Sequence, residues 1–458
     1  MVLRIINRLL VLFTLISFLM QPTFASEVSK SPRTISLEEA IETGVKNSYS
    51  LEILNEKIIQ SEAMQRKALA LLLPILNIQG TYTRNDKEVN MKFPDINSIK
   101  FLKTPPYFEF ERYSNYVIQK ENSFGAMANL SVPLINIPNY LTYNNSKESL
   151  ELSKLNKESQ KGELIYNIAV AYLNTISIKK SISVTKKSIE LAKSHLQTVE
   201  TKLKNGDANE LTLIKAKLDL ERAENDSIKL EKAYRIAIDS LKILLNTNED
   251  IEIEENTEFK TDIENDIDKL QKTALQKRLD VKSLMKNSEI IDRDLNITKS
   301  KFLPTLNMNA TYRYSDATNF IGEETQWFII FSLNLNLYDG GIRYAEMRDK
   351  KSKLRENSLQ MRQLTDSITS QIEQNLLEFN TCQKDVESLK KQLELAKRSY
   401  ELSYKSYEIG IISQSDLIDS ESMVTTTEIL LEKSKNDCRI NYIKLLKAIG
   451  EITSFKGK

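Results

Sequence analysis

The chain is written twice, and this repetition constrains its fold more than any other feature of the sequence. Residues 36–86 align without gaps to 266–316, at an offset of 230. Within that block Leu73-Pro74-Ile75-Leu76-Asn77 matches Leu303-Pro304-Thr305-Leu306-Asn307, Thr81-Tyr82 matches Thr311-Tyr312, and Asp86 matches Asp316. A second block, at an offset of 204, sets Asn205-Gly206 through Leu213 on Ile409-Gly410 through Leu417. A fixed offset marks one structural unit used twice. The pattern predicts helix, helix, strand, loop, strand, long helix, turn and helix in each half. The expected first repeat is 26–246 and the second 266–450. The acidic, polar stretch 247–265 links them, and 451–458 is a tail.

Long helices follow from what is missing. Gly and Pro together number 20 of 458 residues (11 + 9), about 4% against an average of ~12%. Between Gly341 and Gly410 neither occurs. Ile368, Ile372, Phe379, Cys382, Val386, Leu389, Leu393, Ala396, Tyr400, Ser403 and Tyr407 keep a three/four spacing along that stretch with one position skipped, and only Ser403 is polar. Beyond Gly410, Leu417, Val424, Leu431, Cys438 and Leu445 recur every seven residues. Sustained heptads mean coiled-coil packing. The predicted hairpins are 139–246 and 341–449. A lone hairpin has a single seam, so residues such as Phe379, Leu389 and Tyr400 call for neighbouring hairpins and a ring of helices. Two cysteines are too few for a disulfide framework, and Cys382 and Cys438 are expected as small core hydrophobes.

Four short segments alternate instead with a period of two. They fall near 75–86, 122–134, 304–316 and 325–338. Leu76, Ile78, Gly80 and Tyr82 oppose Asn77, Gln79, Thr81 and Thr83; Leu306, Met308, Ala310 and Tyr312 oppose Asn307, Asn309 and Thr311. Strands of about 10 residues, apolar on one face and Asn/Thr-rich on the other, match a membrane-spanning barrel strand. A half-buried soluble sheet has the same period, but the polar face suits a wet lumen, and Tyr82, Tyr312, Tyr314, Phe331 and Tyr338 sit where an interfacial belt belongs. Four strands cannot close a barrel, and an open edge in lipid leaves backbone groups unpaired at several kcal/mol each. Subunits must therefore pool strands. Residues 87–121 are expected as a long aromatic loop on the outer side, against a short partner at 317–324.

The N-terminus has the form of an export signal. Arg4 and Arg8 precede an apolar run, Leu9 to Met20, and Thr23-Phe24-Ala25 supplies a small-residue site, giving a signal peptide of residues 1–25. The net charge is +1, with 64 basic and 63 acidic residues, which disfavours nucleic acid as a partner. One His and two Cys leave little material for a His-built metal site or a His-based relay. No nucleophile–base pair or phosphate loop appears, so no enzyme and no cofactor are expected. His195 is expected to be a solvated or lumen-facing side chain.

Together the export signal, the duplicated strand–strand–hairpin unit, the Leu-Pro helix–strand junctions, Leu-Tyr-Asp-Gly-Gly at 337–341 and Gly-x-x-x-x-x-Asp-Leu-Ile-Asp at 410–419 resemble the TolC family of outer-membrane factors. The resemblance spans 36–450. It implies a mainly α fold with membrane β: a homotrimer with a 12-stranded β-barrel in the outer membrane of a Gram-negative bacterium and a 12-helix coiled-coil α-barrel in the periplasm. It also implies a periplasmic adaptor and an inner-membrane pump or ABC exporter as partners, for efflux or type I secretion. By the same resemblance Asp416 and Asp419 would crowd the periplasmic entrance, and Tyr407 would help to tie it shut. The family's nearby Arg is replaced by Ile412. Asp416 also completes a Ser-x-x-Asp capping box with Ser413. Gly206 and Gly410 mark the hairpin tips, the expected adaptor contacts. The alternative is a soluble exported coiled-coil scaffold without a membrane barrel.

Overall fold

The computed structural model describes residues 33–255, 265–317 and 323–455. The expected signal peptide, with its cleavage site at Ala25, lies outside the described residues. The two halves repeat one order of helices and long strands. Helices α1 (Leu37–Asn47) and α2 (Tyr49–Ala70) lead to strand β2 (Ile75–Arg84), following a short β1 (Arg33–Ile35). Strand β7 (Asn122–Ile135) returns to α3 (Ile137–Lys204) and α4 (Glu210–Leu245). The second half repeats this with α5 (Ile267–Lys277), α6 (Leu279–Ser300), β9 (Thr305–Ser315), β10 (Thr325–Asn334), α7 (Ile342–Glu408) and α8 (Gln414–Ala448). Helices α1 and α5 are both 11 residues and α2 and α6 both 22. At 68 residues, α3 is about 100 Å long.

Each long helix is flanked by two shorter ones placed end to end. Helix α2 packs on the sheet-proximal part of α3, and α4 on the part leading to the tip. Where they meet lies the hydrophobic core. Ile168, Tyr172, Ile176, Leu241, Leu245, Ile368, Ile372, Ile443 and Leu445 are almost fully buried there. The linker enters this hub. Within the stretch expected as purely polar, β8 (Ile251–Ile253) pairs parallel with β1. Ile251 and Ile253 are buried, so the apolar pair draws the connection inward. The Tyr172 hydroxyl donates to the Ile35 carbonyl at 2.9 Å, tying α3 to β1.

The four long strands form one antiparallel sheet in the order β10-β9-β7-β2. Its register brings the apolar positions to one face. Ile78 lies opposite Ala128, Ala128 opposite Tyr312 and Tyr312 opposite Trp327. Leu76, Leu130, Ala310 and Ile329 form the next row. The other face carries Asn77, Asn129, Thr311 and Phe328 in register. No helix covers either face of β2, and Ile78 is 78% exposed. Strands β2 and β10 are open edges.

Three expectations are corrected here. Residues 87–121 are not an irregular loop: β3 (Val89–Pro94) pairs with β6 (Tyr113–Gln119), and β4 (Ile99–Phe101) with β5 (Phe108–Phe110), as a nested hairpin prolonging β2 and β7. The alternation of Ile99/Phe101 and Phe108/Phe110 on either side of Pro105-Pro106 supports it. The last strand stops at Asn334 rather than running to 338, because the chain must turn at Gly340 and Gly341, both at positive φ. Finally, Cys382 and Cys438 are joined by a disulfide with Cα atoms 5.4 Å apart. The antiparallel hairpin sets these two heptad positions opposite each other.

The junctions between sheet and helices reuse one device. In the first half Asn139 Nδ2 donates to the Leu71 carbonyl at 3.1 Å; in the second, Arg343 Nη1 donates to the Lys301 carbonyl at 3.2 Å. These donors are 204 residues apart and the acceptors 230, the two offsets of the repeat. Arg343 is buried, stacks on Phe302 and pairs with Asp339 at 2.8 Å. The Asp339 carboxylate accepts the N–H groups of Gly341 and Arg343. It therefore caps α7 from two residues upstream of Gly341, which occupies the cap position itself.

Candidate functional site: the hairpin tips

The two tips are built alike. Helix α3 ends when the Gly206 N–H bonds to the Leu203 carbonyl and the Asp207 N–H to the Lys202 carbonyl. Helix α7 ends identically, with Gly410 on Tyr407 and Ile411 on Ser406. This double bond pattern needs a left-handed residue, and Gly206 and Gly410 have φ of +83° and +75°. A Cβ on either would meet nothing within 4 Å, so backbone conformation and not space demands glycine. The tips present different chemistry. Ile409 and Ile411 are each 72% exposed beside Gly410, whereas Asn205 and Asp207 flank Gly206.

The following helices start on side-chain caps. Asn209 accepts the Thr212 N–H at 2.9 Å. Ser413 and Asp416 form a reciprocal box: the Asp416 N–H bonds Ser413 Oγ, while the Ser413 N–H and hydroxyl donate to the Asp416 carboxylate at 3.0 and 2.7 Å. The bond from the Ser413 hydroxyl, and then that from its N–H, hold the Asp416 carboxyl below its usual range. Asp416 is exposed, as is Asp419 one turn on. Asp419 lines a cleft of about 510 Å³ facing α4, with Asp219 and Glu421.

Near the tips, Tyr407 of one hairpin meets His195 and Lys202 of the other. The His195 ring of α3 packs against the Tyr407 ring at a tilt of 50°, with ring centroids 5.6 Å apart, and the Lys202 ammonium sits 4.3 Å from the Tyr407 centroid. His195 is thus not solvated as expected: it is half-buried, and its Nε2 is buried without a hydrogen-bond partner. Burial, with the Lys202 charge secondary, pushes its pKa down, which keeps the ring neutral. Burial raises the Tyr407 hydroxyl. Ile412 is half-buried.

Sequence reasoning missed Glu421. It lies four residues beyond Leu417, on the face turned to the other hairpin, and is 9% exposed. Burial first, and then the like charge of Asp219, push its carboxyl up to about 7. Asp219 is raised as well, by burial, with Arg222 opposing. The signal was an acidic residue at helical spacing from a heptad leucine. Among the described residues no group of three or more His, Cys, Asp or Glu is gathered to hold a metal ion, and no helix is long and apolar enough to cross a membrane.

The repeat, the open sheet and the paired tips coincide with a known family. The outer membrane efflux protein family model matches residues 56–247 and 270–451, one match for each half. The chain belongs to the outer membrane efflux protein family. Its fold is that of solved outer-membrane channels. The Campylobacter jejuni CmeC outer membrane channel aligns at a TM-score of 0.72 and 19% identity, over 91% of this chain and 85% of that one. The Vibrio cholerae outer membrane protein VceC aligns at 0.73 and 14%, over 90% and 96%. The open state of the Neisseria gonorrhoeae MtrE outer membrane channel aligns at 0.69 and 14%, over 90% and 88%. No curated protein matches the chain in sequence. This efflux protein is an outer-membrane channel, and the sheet is the part suited to lipid.

Proposed function

We propose that this efflux protein works as a trimeric, passive exit duct, conducting substrates from an inner-membrane pump or ABC exporter and its periplasmic adaptor to the exterior. The observation that carries the reading is the four-stranded sheet, apolar on one face, polar on the other and open at both edges. Two copies would give eight strands, a barrel whose interior side chains fill. Three copies give twelve, wide enough for the Asn- and Thr-lined face to enclose water. The long helices of three copies then continue the lumen as a ring. Nothing in the site supplies energy, so transport must be driven by the partner.

At the far end of that ring, Asp416 and Asp419 would recur with threefold symmetry and favour cations by concentrating negative potential. Tyr407 would tie the entrance through His195 and Lys202, taking over the work of the missing arginine. The tips at Gly206 and Gly410 would meet the adaptor, with Ile409 and Ile411 as its apolar contacts.

Planar-bilayer conductance tests the duct directly. Purified protein should form cation-selective channels, and Asp416→Asn with Asp419→Asn should weaken the selectivity. A protein that inserts without conducting would end the reading. Ile409→Glu with Ile411→Glu should abolish export in cells while the assembled protein persists; undiminished export would remove the tip from the adaptor interface.

A further inference from the structure

Near the tips, between the hairpins, lies a largely buried carboxylate that opens on two clefts. Glu421 is 9% exposed, and no described residue gives it a hydrogen bond or an ion pair. The charge that acts on it is another carboxylate, Asp219 of α4, itself opposed by Arg222. Leaving a buried acid without a donor is costly, and such groups are normally satisfied by a partner. Glu421 also opens on space. It lines the 510 Å³ cleft facing α4 and a second one, of about 620 Å³, between α3 and α7.

The second cleft has the character of a cation receptor. Its walls include Tyr400, Tyr404 and Tyr407, and its charged lining residues are Glu401, Glu408 and Glu421 against Lys202 and Lys405. One of these rings already holds an ammonium, that of Lys202 on Tyr407 at 4.3 Å. Tyr400 and Tyr404 form an adjacent ring pair with centroids 6.3 Å apart, and Tyr404 is 46% exposed. An aromatic face attracts a cation, most strongly where water is excluded. The donor set does not suit a metal ion, which wants several convergent oxygens or nitrogens. A single buried carboxylate between aromatic rings suits a larger, softer charge.

We propose that this cleft binds an organic cation with an ammonium head, anchored on Glu421 and held against Tyr400 and Tyr404, with Asp219 adding negative potential from behind α8. The site lies within one protomer, in the cleft between α3 and α7, whereas Asp419 lines the cleft facing α4, and it does not depend on the duct reading: binding can be present or absent whether or not the protein conducts.

Isothermal titration of the detergent-solubilised full chain with phenethylammonium, and with the neutral 2-phenylethanol as its control, decides it. Phenethylammonium should bind saturably at one site per chain, and 2-phenylethanol should not. Glu421→Gln, close to isosteric and relieved of a buried charge, should melt no lower than the natural protein yet weaken binding about tenfold or more, the range for loss of one charge-assisted contact. Tyr404→Ala, at a half-exposed ring, should weaken it several-fold. Equal binding of the alcohol, unchanged affinity in Glu421→Gln, or no saturable binding to the natural chain would each overturn the proposal.

Discussion

The hub and the sheet solve the same problem in opposite ways. In the hub, Ile168 and Tyr172 of α3, Ile368 of α7 and Ile443 of α8 belong to one buried cluster inside a single chain. In the sheet, Leu76, Ile78, Phe331 and Leu333 are just as apolar and just as regular, but 61%, 78%, 64% and 69% exposed. The hub is covered by its own helices, whereas the edge strands β2 and β10 of the sheet have no further strand partner among the described residues. The difference teaches that regular secondary structure is not self-sufficiency. The hub is a protein core in water; the sheet is an apolar face between two edge strands, and on the proposed reading its solvent is lipid and its neighbours are other copies of the chain.

Substitutions in the two regions should therefore part company. The largest effect is expected just tipward of the hub. Replacing both Cys382 and Cys438 by Ser frees a loop of 56 residues and should lower stability by about 4 kcal/mol in the chain-entropy picture, seen as an earlier helical melt. A matched pair comes next. Ile168→Ala should cost about 3 kcal/mol through the cavity it leaves, again in the melt. Ile78→Arg should cost a similar ~3 kcal/mol, but in membrane assembly, with the hub's melt unmoved. If Ile78→Arg also shifted that melt, the two regions would not be independent. Gly410→Ala should cost roughly 1–2 kcal/mol because a Cβ is strained at positive φ, measured by the same melt.

The smallest effect is a pH dependence centred on Glu421, which Asp219, Arg222, His195 and Tyr400 surround. Its folded pKa, about 7, stands above the ordinary 4.5. The folded state therefore holds the extra proton, and stability falls as pH rises through 7, by roughly 1 kcal/mol between pH 6 and 8. Glu421→Gln should flatten that slope, and the sheet should not respond. The comparison sharpens if melts at several pH values move the helices alone.

Much of this contrast was legible in the sequence, because period and offset are local properties. The Leu-Pro junctions at 73–74 and 303–304 marked where helix gives way to strand, and Gly206 and Gly410 marked both turns. What escaped reading depends on which elements meet. The disulfide was within reach: Cys382 and Cys438 are equidistant from Gly410, so a hairpin turning there sets them face to face. Counting cysteines instead of measuring from the turn hid it. Glu421 escaped because heptads report one seam, and its side chain faces a second. Strand β8 is three residues long, too short for alternation to register, and only its pairing with β1 reveals it. The nested hairpin at 89–119 was masked by its prolines and aromatics.

The central claim is that the sheet is completed only by other copies of the chain. Native mass spectrometry of the detergent-extracted protein measures this most directly. A mass of three chains, lost only when the sheet itself is denatured, is the predicted result. A monomer that stays in aqueous solution without detergent would contradict it.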